Sequence, residues 1–284
     1  MSRTQMFAMV GAIAAAILLF VFIIFGRNTL FADSAWAFEA HAHDLRRVDN
    51  LALADDGSLY ASLEVAGGQG RIVHLKSGQV TPVLEDLKRP DGLILRSGSL
   101  FVTEEVDPGR ILKFDLATGE SITIAQLRKP EGIGFLPDGR LVISEDLPEN
   151  GRVVALSDSG TVSVIIDGLK KPEGLAVAAN GDIFVAESGA GRVIKFSKGQ
   201  ISTVVDGLNW PDQVVLAPDG ALWITEDSKT GRLIRFHGGQ TVAVLSNVKQ
   251  PQGIAIAKDW VYVAEQGRDR ILRLRTRASL PPPQ

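Results

Sequence analysis

The sequence predicts an all-β protein: a six-bladed β-propeller closed by an N-terminal strand and preceded by one transmembrane helix. Three observations predict it: a proline-opened repeat of about 40 residues, turn dipeptides at fixed places inside each copy, and a last copy that lacks its fourth strand.

Proline recurs at Pro90, Pro130, Pro172, Pro211 and Pro251, with steps of 40, 42, 39 and 40 residues. The copy from Pro172 reads Pro-Glu-Gly, an apolar strand, an Asn180-Gly181 turn, and a second strand ending at Glu187. Gly191-Arg192 opens a third strand, Lys198-Gly199 turns it, and residues 201–205 form a fourth. Asp56-Gly57, Asp138-Gly139 and Asp219-Gly220 repeat the first turn; Ser77-Gly78, Thr118-Gly119, Ser159-Gly160 and Gly238-Gly239 repeat the second. Such dipeptides supply the positive φ of tight hairpins. Four short antiparallel strands in that length are one propeller blade.

The ends give the blade count. The copy from Pro251 has three strands and then runs into Pro281-Pro282-Pro283, which cannot join a ladder. Residues 45–50 align without gaps on residues 169–174, so residues 38–44 stand where a fourth strand belongs. The N-terminal strand therefore completes the last blade and removes the open edge.

Ahead of it, residues 6–25 are an unbroken apolar run of about the 20 residues a bilayer requires. A cleaved signal peptide is the competing reading, since Ala35-Trp36-Ala37 has the small-x-small form. The apolar run is longer than signal h-regions and ends ten residues before that site. The expected order is an anchor at 1–26, a linker at 27–36, the propeller at 37–277 and a Pro-rich tail at 278–284. Arg3 and the α-amino group outweigh Arg27, which puts the propeller on the extracytoplasmic, periplasmic side as a single-pass membrane protein. The absence of cysteine removes disulfides, thiolate metal sites and cysteine nucleophiles. A net charge of -3 on an exported domain argues against nucleic acid as a partner. A small-molecule ligand or an envelope protein is expected instead.

What every blade carries reads as structure. An acid ends strand two at Glu104, Glu145, Glu187, Glu226 and Glu265, with Leu63-Glu64 in the first blade. An Arg follows at Arg110, Arg152, Arg192, Arg232 and Arg270, with Arg71 in the first. These are expected to link strands two and three.

The residue at the position after the opening proline, where Val48 replaces proline in the first blade, differs: Asp49, Asp91, Glu131, Glu173, Asp212 and Gln252. These side chains converge where the innermost strands begin, at the mouth of the central channel. Carboxylates so gathered raise one another's pKa values unless something compensates. A hard divalent cation, Ca²⁺ first among them, suits oxygen-only ligands. The collar before each proline could also compensate: Arg46-Arg47, Lys88-Arg89, Arg128-Lys129, Lys170-Lys171 and Lys249-Gln250. It breaks at Asn209-Trp210, followed by Asp212-Gln213, an aromatic beside an acid as in a ligand pocket.

The stretch 185–196, VAESGAGRVIKF, resembles the NHL repeat, which ends its second strand on an acid and restarts on Arg. The Pro-acid-Gly openings followed by Asp-Gly or Asn-Gly turns resemble the senescence marker protein–gluconolactonase (regucalcin-like) family. Virginiamycin B lyase and strictosidine synthase-like propellers are similar at the same level. The resemblance covers residues 38 to about 275 and implies fold more than chemistry, because these families share blades and differ in activity.

The gluconolactonase-type resemblance implies a divalent metal held by strand-one acids and Asn, with one acid activating water. On motif, Asp49, Glu173 and Asp212 then become the metal-proximal residues, with Asp212 the catalytic base. Asp91, Glu131, Gln252, Trp210 and Gln213 complete the channel mouth. Glu173 stands where that family usually has Asn, and Pro90 replaces another Asn. Of the four histidines, His41 and His43 fall on the closing strand, His74 in a third strand and His237 at a hairpin, away from the mouth. No Gly-x-Ser-x-Gly elbow and no zinc signature occur. Two functions follow: a metal-dependent lactone or ester hydrolase, or a non-catalytic scaffold whose collar contacts a partner or ligand.

Overall fold

The computed structural model describes residues 29–279. Among them no helix is long and apolar enough to cross a membrane. The predicted anchor at 1–26 and most of the Pro-rich tail lie outside the described residues.

Six four-stranded antiparallel blades are present. Blade one runs Val48–Leu53, Leu59–Leu63, Gly70–Lys76 and Gln79–Leu87; blade two runs Pro90–Arg96, Ser99–Glu104, Gly109–Asp115 and Ser121–Leu127. Blade three is Pro130–Phe135, Leu141–Glu145, Gly151–Leu156 and Val162–Leu169; blade four is Pro172–Val177, Ile183–Glu187, Arg192–Ser197 and Gln200–Val205. Blade five is Pro211–Leu216, Leu222–Glu226, Gly231–His237 and Gln240–Val248. Blade six has Pro251–Ile256, Val261–Glu265 and Arg270–Thr276, and its outer strand is Trp36–Ala42, with Phe38 opposite Leu274. The ring closes as the sequence predicts.

The stretch read as linker is partly folded. Phe31–Ala32 pairs with Leu245 and Ser246 as a fifth strand on blade five, and Asn247 Nδ2 donates to the Thr29 carbonyl at 2.7 Å. The chain thus enters along the outer edge of blade five, near the end where the proline openings lie.

The hydrophobic core forms between blades. Val142, Val153 and Ile166 of blade three pack on Leu175, Val185 and Ile194 of blade four, and the closing interface packs Leu51, Ala61 and Val73 on Tyr262, Ala264 and Ile271. Alternate strand residues face the two neighbouring blades, so each sheet is buried on both sides. Turn glycines hold positive φ where the dipeptides predict it, as at Gly139 (+94°) and Gly181 (+88°).

The acid–Arg pairs form in five blades. Glu226 accepts from Arg232 Nε at 2.5 Å and Nη2 at 2.7 Å, and from the Asn209 backbone N–H at 2.8 Å. Glu104, Glu145, Glu187 and Glu265 repeat this with Arg110, Arg152, Arg192 and Arg270, and with the N–H of Lys88, Arg128, Lys170 and Lys249. Each acid therefore joins strands two and three to the loop that enters the same blade. Blade one departs from the expectation. Leu63, not Glu64, stands opposite Arg71, so Glu64 falls one position later and turns into the channel. A one-residue offset changes the side of a strand end.

Candidate functional site

The mouth is built from three concentric layers, each contributed once per blade. The first is the post-proline ring: Asp49, Asp91, Glu131, Glu173, Asp212 and Gln252. Hydroxyls of second strands fix its backbone: Ser62, Thr103 and Ser144 donate to the carbonyls of Asp91, Glu131 and Glu173 at 2.9, 2.8 and 2.6 Å. The strand-one positions after the acids allow little room. A Cβ at Gly92 would lie 2.0 Å from the Glu131 carbonyl oxygen.

The second layer was not legible as a ring in the sequence. It follows the end of strand two: Glu64, Glu105, Asp146, Ser188, Asp227 and Gln266, all lining the same cavity. The third layer is the inner member of each collar pair: Arg47, Arg89, Lys129, Lys171, Trp210 and Gln250. All six hold left-handed φ, from 39° at Lys129 to 57° at Arg47. The carbonyl of each accepts the backbone N–H of the second-layer residue in its own blade, as in Arg47–Glu64 at 2.8 Å and Trp210–Asp227 at 2.8 Å. This bond turns each collar side chain over the mouth.

The enclosed volume is about 290 Å³, lined by nine carboxylates and, from the collar, Arg47, Arg89 and Lys171. The collar neutralises part of the ring. Arg47 and Arg89 pair with Glu64, and Arg89 also with Glu105. Lys129 lies 3.6 Å from Glu105 and 3.5 Å from Asp146; Lys171 lies 3.0 Å from Glu173 and 3.8 Å from Asp146. In blades five and six the collar residues are Trp210 and Gln250. There Asp212 receives the Gln252 amide at 2.7 and 2.8 Å, and Gln266 Nε2 donates to Asp49 at 2.7 Å.

Burial first, and neighbouring carboxylates after it, raise the carboxyl pKa values. Burial, then Glu64 and Asp212, holds Asp49 well above the usual carboxylate range; burial, then Asp49, does so for Asp91. Burial followed by Glu173 raises both Glu131 and Asp212. Burial is also the main reason Glu105 rises to about 6 and Asp146 and Asp227 rise. Burial opposes the charge of Lys171, but Glu173 and Asp146 hold it above its ordinary value. Because the folded carboxyls bind protons more tightly than the unfolded ones, these groups lose stability as pH rises from about 4 through their raised pKa values.

Of the sequence-predicted metal residues, Glu173 and Asp212 come together, with ligand oxygens within 4.8 Å of each other and of Glu131. Asp49 is not in that group; it faces Glu64 and Gln266. A second such group is Glu105, Glu131 and Asp146, which Lys129 and Lys171 flank. Gln213 does not line the acidic cavity. It lies one layer below, where its Nε2 donates to Asn50 Oδ1 at 2.9 Å and joins the inner strands of blades one and five. That amide bridge floors the mouth, and an apolar cavity of about 390 Å³ lies beneath it. None of the four histidines lines the mouth; His74 stacks on Tyr60 and His41 packs edge-on to Tyr262.

Residues 169–196 match the NHL repeat. Among curated proteins, none matches the sequence. The fold is similar to that of a gluconolactonase from Xanthomonas campestris (TM-score 0.71, 16% identity, 86% of this chain and 91% of that one). It is also similar to virginiamycin B lyase from Staphylococcus aureus (TM-score 0.61, 14% identity, 87% and 99%) and to a streptogramin B lyase (TM-score 0.64, 16% identity, 86% and 100%). The chain is a six-bladed β-propeller carrying an NHL repeat, and its structural neighbours are gluconolactonase and virginiamycin B lyase propellers.

Proposed function

We propose that this propeller is a divalent-cation-dependent lactone or ester hydrolase that works at the acidic mouth, on a domain tethered to a membrane by its N-terminal segment. The observation that carries the reading is the approach of Glu131, Glu173 and Asp212 within 4.8 Å inside a cavity where carboxylates outnumber cations. The donor set fits a hard cation: it is all oxygen, and its carboxylates already lie together. Glu173 already accepts from Lys171, so a cation would displace protons from Glu131 and Asp212.

When bound, a cation supplies Lewis-acid polarisation of a substrate carbonyl. The protein's residues do the rest. Asp212, oriented by Gln252, takes the proton of the water that attacks the carbonyl and passes it to the leaving alkoxide as the ester C–O bond breaks. Lys171 holds Glu173 in place, and the Asn50–Gln213 floor confines the substrate to the mouth. The gluconolactonase likeness makes a ring ester the first substrate class to try.

The entry of the chain at Thr29, beside Asn247 on the proline-opening side of blade five, supports an orientation in which an anchored propeller turns its mouth toward the membrane.

Hydrolysis of simple γ- and δ-lactones and aryl esters tests the reading. Turnover is expected with Ca²⁺, Mn²⁺ or Zn²⁺ and is expected to vanish with EDTA. Turnover that survives EDTA would remove the cation from the mechanism, and cation binding without turnover of any ester would leave a ligand-binding propeller instead.

A further inference from the structure

Ion pairing at the mouth is confined to blades one to four, where Arg47, Arg89, Lys129 and Lys171 pair with Glu64, Glu105, Asp146 and Glu173. Among the described residues no lysine or arginine forms an ion pair with Asp212 or Asp227 of blade five, and Arg47 influences Asp227 only at longer range. The same side carries unpartnered buried acceptors. Gln266 is 3% exposed, lines the cavity and spends both amide contacts on Asp49 and Glu64 through Nε2, leaving Oε1 without a partner. Asp227 Oδ1, in the preceding blade of the same layer, is also unpartnered. A buried acceptor left without a donor is costly, so these two atoms point to a ligand that brings donors.

Trp210, 53% exposed, lines the same cavity, and its carbonyl accepts the Asp227 N–H. Its ring already attracts one cation: Lys171 Nζ lies 5.6 Å from the ring centre. A metal ion suits the place poorly. Among the described residues the groups of three carboxylates close enough to hold one are Glu131–Glu173–Asp212 and Glu105–Glu131–Asp146, and neither includes Asp227. Unpartnered acceptors and an exposed indole lining one cavity suit N–H donors on a carbon-bound cation, which can hydrogen-bond to the acceptors and meet the ring.

We propose that the blade five–six half of the mouth binds an organic cation, a primary ammonium or guanidinium group, held by Asp227, Gln266 and Trp210. The hydrolase reading makes this group part of the substrate, an amino- or guanidino-bearing lactone or ester, and that assignment rests on it. The subsite itself rests on the geometry.

Calorimetric titration with n-butylammonium and with agmatine, in saturating Ca²⁺, tests this, with 1-butanol as the uncharged control. The amines are expected to bind the parent protein and the alcohol not to. Asp227→Asn is expected to weaken the amines roughly tenfold or more, and Trp210→Ala roughly three- to tenfold. Both variants are expected to keep the parent's Ca²⁺-dependent rise in melting temperature, which also shows that they fold. Equal affinity for butanol, no effect of Asp227→Asn, or competition between amine and Ca²⁺ for one site would overturn the subsite. Amine binding without ester turnover would sink the hydrolase and leave the subsite standing; turnover without amine binding would do the reverse.

Discussion

Asp212→Asn is expected to abolish hydrolysis and cation-dependent stabilisation together, while leaving the cation-free fold at least as stable as the parent. The substitution keeps shape and removes charge. As a base and a cation contact, Asp212 is expected to account for about 10²–10⁴ in rate. Its effect on the cation-free fold has the opposite sign. Burial and Glu173 already penalise the Asp212 charge, so a neutral amide relieves repulsion in the ring. Gln252 can turn its amide to accept from the new side chain. Rate measurements and denaturant midpoints, each with Ca²⁺ and with EDTA, separate the two effects. A variant that is simply less stable in EDTA would show that Asp212 is a structural anchor and not a strained site residue.

Glu226→Ala is expected to give a large loss of stability with no role for the cation. Glu226 is buried at 1% exposure and holds both Arg232 and the Asn209 N–H. Its removal leaves Arg232 without its carboxylate and an orphaned backbone donor in the loop entering blade five. Breaking such a pair costs about 3–5 kcal/mol when both partners are buried. Arg232 is 40% exposed along its side chain, so about 3 kcal/mol is expected. Urea denaturation measures it, and an unchanged midpoint would show that the repeated pairs are surface decoration.

The contrast between these two positions is also the contrast between what the sequence discloses and what it hides. Blades were legible because each is local: proline, two glycine turns and one acid recur within about 40 residues, and the last copy's missing strand is visible as a gap. The post-proline ring was legible because the proline indexes it. The second layer was hidden behind the strand-ending acids. In five blades the acid pairs sideways with Arg, and only the following residue turns inward. Phasing failed at Glu64 because blade one has no acid at the paired position; Leu63 occupies it. A readable signal existed: the residue after each strand-two end is polar in all six blades. Nor could sequence choose among the ring acids. Asp49 matched by motif, but closeness of oxygens around the axis brings Glu131 to Glu173 and Asp212 instead. The one-sided ion pairing needs the left-handed collar residues, whose side-chain direction is set by a bond to the next strand end.

On the proposed reading, the mouth holds its carboxylates together by retaining protons that a divalent cation can replace. Denaturant midpoints of the EDTA-treated protein at about pH 5 and about pH 8, each repeated with Ca²⁺, test it most directly. Raised folded-state pKa values predict that the cation-free protein loses stability as pH rises between these points, and that Ca²⁺ restores it at the higher pH with little effect at the lower. Stability that rises with pH, or that Ca²⁺ leaves unchanged at about pH 8, would contradict the account.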